Sequence, residues 1–298
     1  MENYNDIIIQ IEALKLYFEK LDIHLEIKKN ILRNSLLKSA RFSSKIESAD
    51  SKLEIDNLYK AYVYVTSKKS PKLLSLNLIK DLHKIIMNNI YSGTENFRTE
   101  PCAIYNTAGI AIYLAPPAQK IHELLNNLIK EINNSKEHCL IKAAIFQFKF
   151  EKIHPFLDGN GRVGRLISYL ILYKNGFSFN GYLSPEEYIN KYREIYYDCF
   201  DSDKNYQPFV KFFLESIQNQ IKTVFENFKN PDNLNTLLPR RREIYEIIKD
   251  HPNCSFDFIH RRFIKINPKT LHYDLSRLQK ENLIIKAGIS RGVTYIVK

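Results

Sequence analysis

The sequence predicts a mainly α-helical protein with one β-hairpin, followed by a small winged helix-turn-helix domain. Three observations lead there. Apolar residues recur at helical spacing through most of the first 228 residues. One stretch alternates apolar and polar positions around a turn instead. Past a break rich in Asn and Pro, the remaining segments are short helices ending in two strand-like runs.

In chain order, Ile8, Ile11 and Leu14, then Leu32, Leu36 and Leu37, fit two or three helices between Asp6 and Val65. Ser75 to Asn89 is amphipathic, with Ser75 placed as its N-cap. Between Phe97 and Pro117, residues Ile104, Ile110, Ile112 and Leu114 alternate around Asn106-Thr107-Ala108-Gly109, and Pro116-Pro117 closes the run, which reads as a β-hairpin. Helical patterns resume over 118–134, 136–153, 162–175, 185–200 and 207–228. From Lys229 to Pro239 two prolines and three asparagines mark a linker. Helices over 241–249, 255–263 and 268–281 follow, then strands over 283–285 and 294–297 flanking Gly288 to Gly292, the pattern of a winged helix-turn-helix. The expected organisation is therefore N-terminal helices over 1–70, a core over 71–230, a linker over 231–239 and a winged helix-like domain over 240–298.

Composition excludes several classes. The chain has 298 residues, 44% hydrophobic, with nine Gly and eleven Pro, which suits buried cores rather than disorder. Its 44 Lys and Arg outnumber 33 Asp and Glu, and the net charge of +11 suits a polyanion partner. Residues 238–298 hold 13 Lys and Arg against 6 Asp and Glu, a surplus of seven. No apolar run approaches the ~20 residues of a bilayer span, and the start at Met1-Glu2-Asn3-Tyr4 lacks a basic signal region. The expectation is a cytoplasmic protein with no membrane contact. Cys102, Cys139, Cys199 and Cys254 lie too far apart for a CxxC knuckle and suggest ordinary thiols.

The chemistry concentrates in Ile153 to Arg165, IHPFLDGNGRVGR. Pro155 biases His154 away from helix, so a loop should present His154. Gly159, Asn160 and Gly161 tolerate positive φ and could turn successive N–H groups inward as an anion nest. A helix following at once would add its N-terminal N–H groups and dipole, so a phosphate suits the loop on two grounds. Arg162 and Arg165, three apart, can fork onto phosphate oxygens. Asp158 beside them is a carboxylate suited to Mg²⁺ on a polyphosphate, and His154 a candidate general base. Gly159 to Gly164 also fits GxGxxG, but the segment before it reads as helix rather than strand, and no GxxxxGK[ST] occurs.

His154 to Arg165 matches the whole signature HPFx(D/E)GNGRxxR and resembles the loop of Fic-domain proteins. The hairpin before it and the Tyr196-Tyr197 pair after it extend the resemblance over most of residues 1–230, and the C-terminal domain resembles an appendage of many bacterial members. The resemblance implies a Fic helical core with the hairpin as flap, and transfer of AMP from ATP to a Tyr, Thr or Ser hydroxyl with release of pyrophosphate. It gives His154 the role of base, Phe156 that of loop anchor and Asp158 that of Mg²⁺ ligand, with Mn²⁺ as an alternative. Gly159, Asn160 and Gly161 would cradle the α- and β-phosphates, with Gly164 in the same nucleotide-binding loop. Arg162 would bind the β-phosphate, Arg165 the γ-phosphate, and Tyr196 would line the adenine pocket. The flap, from Cys102 to Leu114, would register the target by strand addition.

Ser43-Ser44-Lys45-Ile46-Glu47-Ser48 resembles the family's inhibitory motif (S/T)xxxE(G/N), with Ser48 at the final Gly or Asn position. The resemblance implies that Glu47, sharing a helical face with Ser43, pairs with Arg165 and denies it to ATP. It also permits removal of AMP, with Glu47 aligning a water. Ser44 to Glu47 equally fits a capping box on spacing alone. A toxin-type phosphotransferase is the enzyme rival, but such relatives tend to carry Lys where this chain has Gly161. The other alternative is an ATP-sensing DNA-binding regulator: Lys269, His272, Arg277 and Lys280 give the third C-terminal helix a basic face for DNA or an acidic protein. A homodimer is expected from the resemblance.

Overall fold

Helix-forming segments with apolar positions three and four apart dominate the chain. In the computed structural model, which describes residues 4–21, 25–49, 51–90, 96–105, 111–200, 205–229, 237–264, 266–288 and 292–298, they form thirteen α-helices and five short strands among those residues. Two compact units result, one within Met1–Asp22 and Ser35–Val224, the other within Ile23–Asn34 and Phe225–Lys298.

The elements begin with α1 (Asn5–Glu19), α2 (Leu25–Ile46), α3 (Lys52–Val65) and α4 (Leu76–Ile86). Ser75 caps α4, its Oγ accepting the Leu78 N–H at 3.1 Å. Ser51 caps α3, accepting the Glu54 N–H at 3.2 Å. The capping-box reading of Ser44 and Glu47 is corrected: Ser44 lies in the last turn of α2, where its Oγ donates to the Ala49 carbonyl (2.9 Å), and the helix start that follows is capped by Ser51. Strands β1 (Ala103–Tyr105) and β2 (Ala111–Leu114) pair antiparallel, with Ala103 opposite Leu114. The expected turn Asn106–Gly109, and Ile110 after it, lie outside the described residues.

A 3₁₀ turn at Ala118–Lys120 leads into α5 (Ile121–Asn134), then α6 (Cys139–Ile153) and α7 (Asn160–Lys174). Every residue of α7 from Asn160 to Leu172 is buried, so this helix is surrounded on all sides. Gly164 permits the close packing of α6 and α7, since a Cβ there would sit 3.3 Å from the Phe150 ring. The pattern over 185–200 is not one helix but two, α8 (Pro185–Lys191) and α9 (Arg193–Asp198). They break at Tyr192 (φ −114°, ψ 43°), whose ring packs 4.5 Å from that of Tyr188. Helix α10 covers Gln207–Lys229.

The second unit contains α11 (Pro239–Asp250), β3 (Cys254–Ser255), α12 (Phe256–His260), α13 (Pro268–Lys280), β4 (Ile284–Ala287) and β5 (Thr294–Val297). Its sheet has three antiparallel strands in the order β3-β5-β4, not the two read from sequence, because Cys254-Ser255 pairs with Tyr295 and Thr294. Ile244, Ile248, Ile259, Leu271 and Leu278 form its core. Residues 231–236 of the expected linker and 289–291 of the expected turn lie outside the described residues. No helix among the described residues is long and apolar enough to cross a membrane.

Candidate active site

Helix α6 ends at Ile153, and His154 takes a left-handed conformation (φ 47°, ψ 61°) that a following proline permits and a non-glycine residue rarely adopts. The turn is tied on both sides. The His154 N–H donates to the Phe150 carbonyl at 3.0 Å, and the His154 carbonyl accepts from Arg98 Nε at 2.8 Å. Arg98, buried, also donates to the carbonyls of Glu100 (2.8 Å), Pro116 (2.6 Å) and Ile153 (3.4 Å), and its own N–H reaches the Pro155 carbonyl. Phe156 is buried and stacked on His83 at 3.6 Å, while His83 Nε2 donates to the Asp158 carbonyl at 2.9 Å. The Asn160 side chain closes the loop, bonding both the N–H and the carbonyl of Phe156 at 2.8 Å.

Of the three residues read as an anion nest, only Gly159 has positive φ (86°), and Asn160 and Gly161 open α7. The nest is therefore corrected to a helix N-terminus with no side-chain cap, whose first N–H groups lack intrahelical acceptors. Those N–H groups and the dipole's positive end point the same way, an arrangement that suits an anion.

Both arginines are engaged by carboxylates. Arg165 is buried: Nη2 donates to Glu47 Oε1 (2.7 Å) and the Ser43 carbonyl (3.0 Å), Nε to Ser43 Oγ (3.1 Å), and Nη1 to the Tyr196 hydroxyl (3.4 Å). Burial disfavours its charge, but Glu47 more than restores it, so the Arg165 pKa is raised. Glu47 also lies against the start of α7, where a Cβ on Gly161 would overlap its carboxylate. Arg162 donates through Nη1 to Glu54 (2.8 Å) and through Nη2 to Asp158 (2.6 Å). Sequence reasoning missed Glu54 and Arg98. Ser51-x-x-Glu54 has the spacing of a helix start, but such a local pattern names no distant partner, and Arg98 lies in no pattern of its own.

Two further expectations change. Gly164 packs against Phe150 and Gln147 of α6 instead of facing the phosphate end. Tyr196 is buried among Phe200, Phe209 and Phe212 and receives hydrogen bonds from Gln147 and Arg165, so it braces Arg165 rather than lining an open pocket. The exposed member of the pair is Tyr197, whose hydroxyl donates to the Ile46 carbonyl at 3.1 Å.

His154 Nδ1 lies 3.3 Å from the Glu151 carbonyl and 3.5 Å from its carboxylate. A carbonyl can only accept, so Nδ1 carries the proton and Nε2 is the basic nitrogen of the neutral ring. Burial pushes the His154 pKa down, but the Glu151 hydrogen bonds and charge outweigh it, and the net shift is upward. Asp158 is 57% exposed at the loop's open edge. No group of three His, Cys, Asp or Glu is placed to hold a metal among the described residues, but one exposed carboxylate beside a phosphate site suits Mg²⁺, which takes its remaining ligands from phosphate and water.

Residues 73–172 match the Fic/DOC family model. The chain is 31% identical over 136 residues to a probable protein adenylyltransferase of Aquifex aeolicus, a match covering 44% of this chain and 41% of that protein. The chain thus spans less than half the length of that relative. It is 34% identical over 99 residues to a Fido domain-containing protein of Dictyostelium discoideum, covering 30% of this chain and 68% of the other. A Fic family protein from Desulfovibrio desulfuricans has a similar fold, with a TM-score of 0.58 at 20% identity over 99% of this chain and 97% of that one. With the signature loop, the buried arginine pair and these matches together, the chain belongs to the Fic/DOC family.

Proposed function

We propose that this protein is an adenylyltransferase that moves AMP from ATP to a hydroxyl of itself or of a target protein, and that Glu47 holds it inactive. The observation that carries the reading is the Glu47 carboxylate seated between Arg165 and the uncapped start of α7. A carboxylate there takes the place suited to a phosphate oxygen. With Glu47 withdrawn, Arg165 turns to the γ-phosphate, Arg162 to the β-phosphate, and the N–H groups at Asn160 and Gly161 to the phosphates nearest the helix. His154 Nε2 removes the proton of the attacking hydroxyl, whose oxygen bonds the α-phosphorus as the bond to the β-phosphate oxygen breaks and pyrophosphate leaves. Asp158 would hold Mg²⁺, or Mn²⁺, which neutralises phosphate charge when bound. Arg98 and Asn160 keep the loop in place throughout. The β1–β2 hairpin, joined to α6 through the Tyr113 hydroxyl and the Lys152 carbonyl (2.7 Å), offers the target segment an edge to pair with.

The test is intact-mass analysis of Glu47→Gly, which releases the latch, and of Glu47→Gly/His154→Ala after incubation with Mg²⁺ and ATP, UTP or CDP-choline in turn. AMP addition from ATP should fall by about 10²–10⁴ in rate in the double variant. Equal addition by both proteins would assign the base to another group.

A second reading concerns the second unit, whose three helices and three-stranded sheet fit a winged helix-turn-helix. Lys269, His272, Tyr273 and Lys280 are exposed on α13. This face favours a nucleic-acid partner.

A further inference from the structure

We propose that Glu54 is a positioning residue of the phosphate site: it fixes the Arg162 guanidinium from the buried side, so that the edge facing Asp158 stays available to nucleotide. The inference rests on the reading of Arg162 as a phosphate ligand. Three observations carry it.

The first is the asymmetry of the two carboxylates on Arg162. The Arg162 side chain is 3% exposed, and Glu54, 2.8 Å from Nη1, is 11% exposed, whereas Asp158, 2.6 Å from Nη2, is 57% exposed. A phosphate arriving from solvent meets Asp158 and can replace it on Nη2 without uncovering a buried charge. Displacing Glu54 would leave a cation unpaired in the interior, which is the costly event for a buried pair.

The second is that Glu54 is itself anchored. Its N–H donates to Ser51 Oγ at 3.2 Å, and its Oε2 accepts from the same hydroxyl at 3.2 Å. A carboxylate held by the capping hydroxyl at the start of a helix is built to stay. Glu47 differs, being 29% exposed and lying across the start of α7, where it blocks an anion.

The third is that Arg162 Nε is buried and has no hydrogen-bond partner among the described residues. The side chain is thus oriented through its two terminal nitrogens, and Glu54 supplies the interior one of those two constraints.

The experiment compares Glu47→Gly with Glu47→Gly/Glu54→Gln in the full chain, measuring binding of ATP, ADP and AMP by calorimetry and AMP incorporation against ATP concentration. Loss of a charge-assisted hydrogen bond corresponds to roughly tenfold to hundredfold. The double variant should lose that much affinity for ADP and ATP while AMP affinity is unchanged, and its KM for ATP should rise more than its kcat falls. An unchanged ratio of ADP to AMP affinity would reduce Glu54 to a structural role. Increased self-modification by Glu54→Gln alone would make it a second latch and overturn the proposal. Should the Gln variant not fold, Glu54→Asp shortens the arm while keeping the charge, and the same affinity ratio decides. If Glu47→Gly transfers no AMP, the adenylyltransferase reading fails, whereas the ADP-to-AMP comparison still judges Glu54 separately.

Discussion

His154 must be neutral to accept a proton, and Glu151 favours its charged form. Because its folded pKa is raised, the imidazole is protonated up to a higher pH than an ordinary histidine, and activity should fall as pH drops through that raised value. The same shift contributes stability that is full below the unfolded pKa and is lost as pH rises through the folded one. Glu151→Gln removes the charge, so the acid limb of the kcat/KM profile should move to lower pH. A limb that stays in place would assign it to another group. At this scale the sequence was informative wherever a residue's role follows from its neighbours in the chain. His154, Asp158, Arg162 and Arg165 lie within twelve positions and could be read together. Arg98 and Glu54 reach the site across 56 and 108 positions, and no local pattern announces such a contact.

Helix α7 shows how an element can be legible in kind and misread in detail. Gly159-Asn160-Gly161 permits positive φ, but only Gly159 uses it, because starting the helix at Asn160 lets that side chain close the loop on Phe156. Two periodic runs, 185–191 and 193–198, looked continuous since both short helices keep apolar residues inward across the break at Tyr192. The turn after α2 carries Ser48 at φ 58°, the left-handed region in which the resembled motif has Gly or Asn. Between elements the main brace is Arg98, which joins the end of α6 to the base of the hairpin through four carbonyls. Arg98→Ala should cost at least about 2 kcal/mol, since it leaves buried carbonyls without donors. Denaturant unfolding measures this, and kcat should fall with it as the His154 turn loosens. A variant of wild-type stability would show that water replaces the guanidinium.

Over the whole molecule, the basic surplus separates into committed and uncommitted charges. In the second unit Arg240 and Arg241 are spent on the buried Asp274, and Arg277 lies 3.4 Å from Glu281, so fewer cations are free for a partner than the count suggests. Lys269 and Lys280 remain exposed on α13. If this face binds nucleic acid, affinity in a gel-shift titration should fall with log salt by about 0.9 per phosphate contacted, and Lys269→Glu should make that slope shallower. A flat salt dependence would point to a protein partner instead. In the first unit both loop arginines are paired with carboxylates of the same chain, Arg162 with Glu54 and Asp158 and Arg165 with Glu47, and under the proposed function nucleotide phosphates take the places of Asp158 and Glu47. The most direct measurement is therefore AMP incorporation by wild type and Glu47→Gly, each incubated with Mg²⁺-ATP and followed by intact mass. Loss of a buried charge-assisted pair corresponds to a change of roughly tenfold to hundredfold, so self-modification should rise by about that factor in the variant. Equal or lower incorporation by a folded Glu47→Gly protein would contradict the latch.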